Sequence, residues 1–216
     1  SIISKTSAVT LYMPLDIHSP NLKENKNGKN PLQDVRVRKA IWHCFDTQSF
    51  INDKLVGMAD HLAFPWPKYV SDANSQISLP DYNISLSKKL LSETPWKEGF
   101  NLKIYCIENK FNGDIELGEF IRKSLKQINI TANIYYFPSE KFYEAVENDK
   151  VSCFVTGYST TSKVADGPLY SLFYYSDIAR GNMNRLNINI PQLNELINQS
   201  RKMSDNDFRK NEVLNK

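Results

Sequence analysis

Between Leu102 and Tyr158 the apolar pattern changes period four times, and this alternation limits the chain more than any other feature. Leu102–Ile107 is a short apolar run of strand length. From Ile115 to Ile128 the spacing becomes helical, with Leu117, Ile121, Leu125 and Ile128 on one stripe. Thr131–Phe137 reads as a strand. Ser139 is placed to cap a helix running to Asn148, with Phe142, Ala145 and Val146 facing inward. Ser152–Tyr158 is again a strand. Helical connections between successive strands imply parallel pairing, so the expected class is α/β, a mostly parallel sheet flanked by helices.

The flanking segments are less regular. Val9–Met13 reads as a strand, and His18–Pro31 as a polar surface connection. Asp34 occupies the N-cap of a helix whose apolar face is Val37, Ala40, Ile41, Cys44 and Phe45. A second helix is expected from Thr47 to Val56, stopping at Gly57. Pro65, Pro67 and Pro80 break the stretch from Ala63 to Asp81. Ser85 is expected to cap a short helix carrying Leu86, Leu90 and Leu91. Beyond Tyr158 follow a loop of hydroxyls, a short helix over Pro168–Tyr174, and a final helix from Pro191 to about Met203. The charged tail from Ser204 extends this pattern.

Several function classes are disfavoured at once. Lys and Arg total 27 against 24 acids, a net charge of +3, which is too mild for a nucleic-acid binder. Glycine numbers only 8, and no glycine-rich phosphate loop, nucleophile elbow or dinucleotide fingerprint is present. Cys44, Cys106 and Cys153 are widely spaced in apolar runs and read as reduced, buried thiols. His18, His43 and His61 lack ligand spacing. Glu116 and Glu119 sit on a solvated helix face, and Arg36, Arg38 and Lys39 flank an apolar stripe as any amphipathic helix requires. No metal, cofactor or catalytic group is implied, so no enzyme is expected. No run of 18 apolar residues exists, and the first residues lack the pattern of a signal sequence.

One position is better marked. In open parallel sheets ligands collect at the carboxyl ends of strands. Strand 152–158 ends at Gly157-Tyr158 and releases Ser159, Thr160, Thr161, Ser162 and Lys163 before Asp166. Hydroxyls, a carboxylate and an aromatic face suit a polar organic ligand. An ordinary solvated loop has the same composition, and residue types alone leave both readings open.

Motif order adds a resemblance. Asn30-Pro31-Leu32-Gln33-Asp34-Val35-Arg36-Val37-Arg38-Lys39-Ala40-Ile41, followed by Cys44-Phe45-Asp46, resembles the signature of family 5 extracellular solute-binding proteins, the peptide and nickel receptors of ABC importers. Ser87–Leu91 with Trp96-Lys97-Glu98-Gly99-Phe100, Gln127-Ile128-Asn129-Ile130, and Phe154–Tyr158 are similar to further family segments in the same order. So are Arg180-Gly181-Asn182 and Ile190–Ile197. Tyr158 stands where the family has Trp, and Asn194 where it has Asp.

The resemblance implies a periplasmic-binding-protein-like lobe. All of 1–216 would be one domain, the second lobe of a two-lobe receptor. Its parts would be an inter-lobe strand and loop at 9–34, a helical and irregular part at 35–100, and an α/β core at 101–203. The implied function is binding of a solute, a peptide above all, for an ABC permease in the inner or plasma membrane. The first lobe of the same protein would complete the cleft. The setting would be periplasmic or extracellular and membrane-associated, with the signal sequence outside this chain. Tyr158, Ser159, Thr160 and Asp166 are the expected ligand residues. The free cysteines motivate one rival: a solute-sensing domain of a cytosolic regulator.

Overall fold

Phe100–Ile107 (β2) is buried at nearly every position, which a strand achieves only when both faces of its sheet are covered. In the computed structural model it is flanked on both sides. The described residues are 9–25, 28–70, 78–149, 151–175, 183–186, 188–204, 210 and 213–214. Arg180-Gly181-Asn182 and most of the tail after Ser204 lie outside them. β2 pairs in parallel with β3 (Ile130–Phe137), from Phe100 opposite Ile130 to Ile107 opposite Phe137. On its other side it pairs in parallel with β4 (Cys153–Ser159), Ile104 opposite Cys153 and Cys106 opposite Val155. The parallel three-strand unit expected from the sequence is therefore present. With β1 (Val9–Tyr12) the sheet order is β1-β4-β2-β3.

The chain forms two compact units. One comprises Met13–His61 and Leu79–Thr156; the other comprises residues up to Tyr12, Leu62–Ser78 and Gly157 onward. β4 runs from the first into the second.

In the first unit, successive side chains of β2 alternate between faces. Leu102, Ile104 and Cys106 join a core with Val37, Ala40, Ile41, Leu91, Ile121, Leu125 and Ile128. These come from α1 (Val35–His43), α3 (Ile84–Ser92) and α4 (Asp114–Lys126) with its following turn. From α5 (Ser139–Asp149), the fully buried Phe142 meets the Phe154 ring edge-to-face at 5.9 Å. α2 (Thr47–Lys54) places Phe50 on Phe120, ring centroids 4.7 Å apart.

The motif that opens with Asn30 is a scaffold. Asn30 is 2% exposed. Its Nδ2 donates to the carbonyls of Asp16 (2.8 Å) and Ser19 (2.7 Å), while its Oδ1 accepts from Leu32 N–H (2.9 Å). Pro31–Gln33 forms one 3-10 turn, and Asp34 then caps α1 as the sequence predicts, accepting from Arg36 N–H at 2.9 Å. The Arg36 guanidinium pairs with the same carboxylate at 2.7 Å and donates to the Glu93 carbonyl at 2.6 Å. Hydrogen bonding from that side chain holds the Asp34 carboxyl below its usual range. Arg38 ties down the carbonyls of Leu32 (2.8 Å) and Gln33 (3.0 Å). Both arginines thus hold the turn they follow, and Arg36 also reaches the end of α3, contacts that the amphipathic-helix reading does not include.

Three helix starts differ from the sequence reading. Asn83, not Ser85, caps α3, its Oδ1 accepting from Leu86 N–H at 2.9 Å. Both residue types cap well, and the earlier one gains a backbone bond from Asn83 N–H to the His43 carbonyl, 2.9 Å. Ser139 is the first residue of α5 rather than its cap. The Pro138 carbonyl receives the N–H groups of Lys141 and Phe142 there. The helix expected at Pro168 begins two residues earlier, as α6 (Asp166–Phe173).

Cys44, Cys106 and Cys153 are free and buried, as expected. Burial pushes Cys44 and Cys106 up to about 12 and raises Cys153 well above the ordinary thiol value. Cys44 donates to the Ile41 carbonyl at 3.1 Å. Thiols this protonated are packing groups rather than nucleophiles. Among the described residues, no cluster of His, Cys, Asp and Glu could hold a metal, and no helix is long and apolar enough to cross a membrane.

The second unit has its own small core. Trp66, Val70, Tyr158, Ala165 and Leu172 are buried together, with Tyr12, Phe64, Leu169 and Phe173 packed against them. α7 (Pro191–Arg201) packs on α6, and the Arg201 guanidinium lies 4.1 Å from the Tyr170 ring centroid.

Candidate functional site

The loop after β4 is short, polar and internally tied. Tyr158, the penultimate strand residue, is 7% exposed and its ring is part of the second unit's core. Alternation along the strand then turns Ser159 to solvent. Thr160 is half-buried and held twice. Its carbonyl accepts from the Tyr69 hydroxyl, and its own Oγ1 accepts from Ser162 N–H at 3.0 Å. Ser162 Oγ donates to the Val164 carbonyl (2.8 Å) and accepts from Val164 N–H (3.2 Å). Serine and threonine favour such local turns because a hydroxyl one carbon from the backbone reaches amides two residues away.

Asp166 stands at the first position of α6, where the helix dipole favours an anion. Its carboxylate is answered from within the chain: Lys210 Nζ lies 2.9 Å away, with the Lys210 side chain 3% exposed and that of Asp166 17% exposed. The four residues singled out from the sequence thus divide. Ser159 and Thr160 are at the accessible part of the loop. Tyr158 and Asp166 fix its two ends from below.

Two contributors escape a sequence reading. Tyr69 falls in the proline-broken stretch that looks like plain surface, and Lys210 lies in a charged tail. Lysine is almost never buried unless paired, so nothing in its surroundings marks it. Trp66, stacked on Phe64 at 4.8 Å, lies in the same core as Tyr158, and its indole N–H has no acceptor among the described residues.

The loop offers hydroxyls and backbone groups, which have the chemistry to hydrogen-bond a polar solute. His43 Nδ1 meets the Asp81 carbonyl at 2.8 Å, far along the chain in the other unit. A separate open hollow of about 590 Å³ lies along α7, lined by Tyr175, Asn189, Asn194 and Glu195 among others, and includes no residue of the loop.

Residues 2–180 match the sequence profile of bacterial extracellular solute-binding proteins, family 5, middle region. Heme-binding protein A of Haemophilus influenzae is 22% identical over 162 residues, which cover 74% of this chain and 30% of that protein. The periplasmic binding protein DppA of Helicobacter pylori, solved with the peptide STSA, superposes with a TM-score of 0.82 at 18% identity. That match covers 97% of this chain and 38% of DppA. NikZ of Campylobacter jejuni, solved with Ni(L-His), gives a TM-score of 0.78 at 15% identity, covering 97% of this chain and 42% of NikZ. The chain therefore spans well under half the length of the relatives it resembles, and its α/β architecture is theirs.

Proposed function

Because the chain belongs to the family 5 bacterial extracellular solute-binding proteins, we propose that it supplies the second lobe of a two-lobe receptor that captures a polar solute for an ABC importer. A peptide is the solute class we favour. The receptor works outside the cytoplasmic membrane, associated with it in the full-length protein, and hands its cargo to a membrane permease. Its role is binding, not catalysis. The first lobe closes over the solute from the other side, because half a cleft cannot bury most of a ligand's surface.

The observation that carries this reading is the family match over residues 2–180. The strand-end position of the 158–166 segment supports it further. Within that segment Ser159 and Thr160 contact the solute, and Tyr158 and Asp166 frame them. Peptide is favoured because the exposed Ser159 hydroxyl and its neighbours can hydrogen-bond the amide groups of a peptide.

The test is thermal unfolding of the full-length protein with tri-alanine, Ni(L-His) or hemin. A probe held at 100 times its Kd adds about 2.7 kcal/mol, which raises Tm by several degrees. Tri-alanine is expected to do so. A rise with Ni(L-His) or hemin instead would keep the receptor role and replace the peptide. No rise with tri-alanine at millimolar concentration would remove the peptide reading.

A further inference from the structure

We propose that Lys210 is a positioning residue for the solute-contacting loop, its ammonium fixing the Asp166 end of that loop from beneath. The proposal rests on the binding role assigned above to residues 158–166.

Burial makes the pair directional in its effect. Lys210 is 3% exposed and meets the Asp166 carboxylate at 2.9 Å. An ammonium withdrawn from water has lost its hydration and must be compensated where it lies. Removing Lys210 takes away the ammonium that lies 2.9 Å from a mostly buried carboxylate, a loss greater than the net worth of the intact pair. The Asp166 carboxylate therefore has one favourable position, and the backbone of residue 166 goes with it.

That position is transmitted to the loop by close packing. Gly167 follows Asp166 and lies so near Ser162 that an added Cβ would fall 3.1 Å from both Ser162 Cβ and Oγ. Ser162 in turn bonds Val164 through its hydroxyl, and its N–H donates to Thr160 Oγ1. Thr160 orientation thus depends on Ser162, and Ser162 on the backbone that Asp166 anchors. The loop's other end is fixed independently, by the buried Tyr158 ring and by the Tyr69 hydroxyl on the Thr160 carbonyl. Lys210 supplies the remaining tie. It also neutralises the carboxylate, so the loop presents hydroxyls to a solute without a bare negative charge from Asp166.

Hydrogen exchange on the full-length protein tests this in Lys210→Met, Lys210→Arg and the exposed control Lys202→Met. α7, residues 191–201 of the same unit, serves as the reference for that unit's stability. In Lys210→Met the amides of Ser162 and Val164 are expected to exchange about tenfold faster, with 191–201 unchanged. Lys210→Arg, which keeps the charge, should restore protection, and Lys202→Met should change nothing. If Lys210→Met does not fold, Asp166→Asn/Lys210→Met removes both charges and should fold with the same fast-exchanging loop. Unchanged loop exchange in the folded variant overturns the proposal. So does faster exchange spread equally over 191–201, which marks a general loss of stability of that unit. Calorimetry with tri-alanine separates the two readings. A loosened loop with unchanged tri-alanine affinity would leave Lys210 as the loop's anchor and remove the loop's role in binding.

Discussion

Asn30→Ala is expected to lower the unfolding free energy of the unit that contains it by about 3–4 kcal/mol. The side chain makes three hydrogen bonds at 2% exposure, joining the carbonyls of Asp16 and Ser19 to the N–H of Leu32. Alanine leaves those three groups without their partner. The Asp16 region is buried and cannot recover water, whereas Ser19 is partly accessible and can. Asn30→Asp should cost nearly as much, because a carboxylate cannot donate to either carbonyl. Urea unfolding followed by circular dichroism measures both. A loss below about 1 kcal/mol, the net worth of a single hydrogen bond, would show that the turn before α1 does not depend on Asn30.

Gly99→Ala is expected to be comparably severe, about 3–5 kcal/mol, for a steric reason. Gly99 precedes β2 with φ at +90°, and an added Cβ would lie 1.8 Å from the Asn129 carbonyl oxygen. The neighbour is backbone at the start of β3, held by the pairing of Phe100 with Ile130, so it cannot move without disturbing the sheet. A positive φ adds its own penalty for any residue with a Cβ. The same denaturation experiment checks it, and a variant as stable as the parent would contradict the close approach of the two strand starts.

Both predictions fall on segments that carry the family resemblance, and this explains what sequence reading found and what it did not. Asn30, Asp34, Arg36, Arg38 and Gly99 stand out because each serves a backbone requirement: a buried turn, a cap, a close approach. Such requirements admit few residue types, so the fold is readable from them. The periodicity of 102–158 was equally informative, since β2 and α4 are buried along one continuous pattern. The candidate site is different. Ser159 and Thr160 were reachable through the strand-end rule and the resemblance at Gly157-Tyr158, not through their residue types, because solvated loops contain the same residues. Lys210 and Tyr69 reach the loop from distant parts of the chain, and a tertiary contact of that kind leaves no periodicity behind. The cap of α3 lies at Asn83 rather than Ser85 because neighbouring polar residues cap almost equally well, whereas α6 starts at Asp166 behind Ala165, with no side-chain cap to mark its start.

The most direct test of the account is hydrogen exchange of the full-length protein with and without a probe that raises its melting temperature, tri-alanine first. The account predicts that amides in 159–165 become at least about tenfold more protected when the probe is bound, as expected for a loop closed beneath a ligand. A probe that stabilises the protein while leaving exchange in 159–165 unchanged would contradict it, and would move the binding site away from the end of β4.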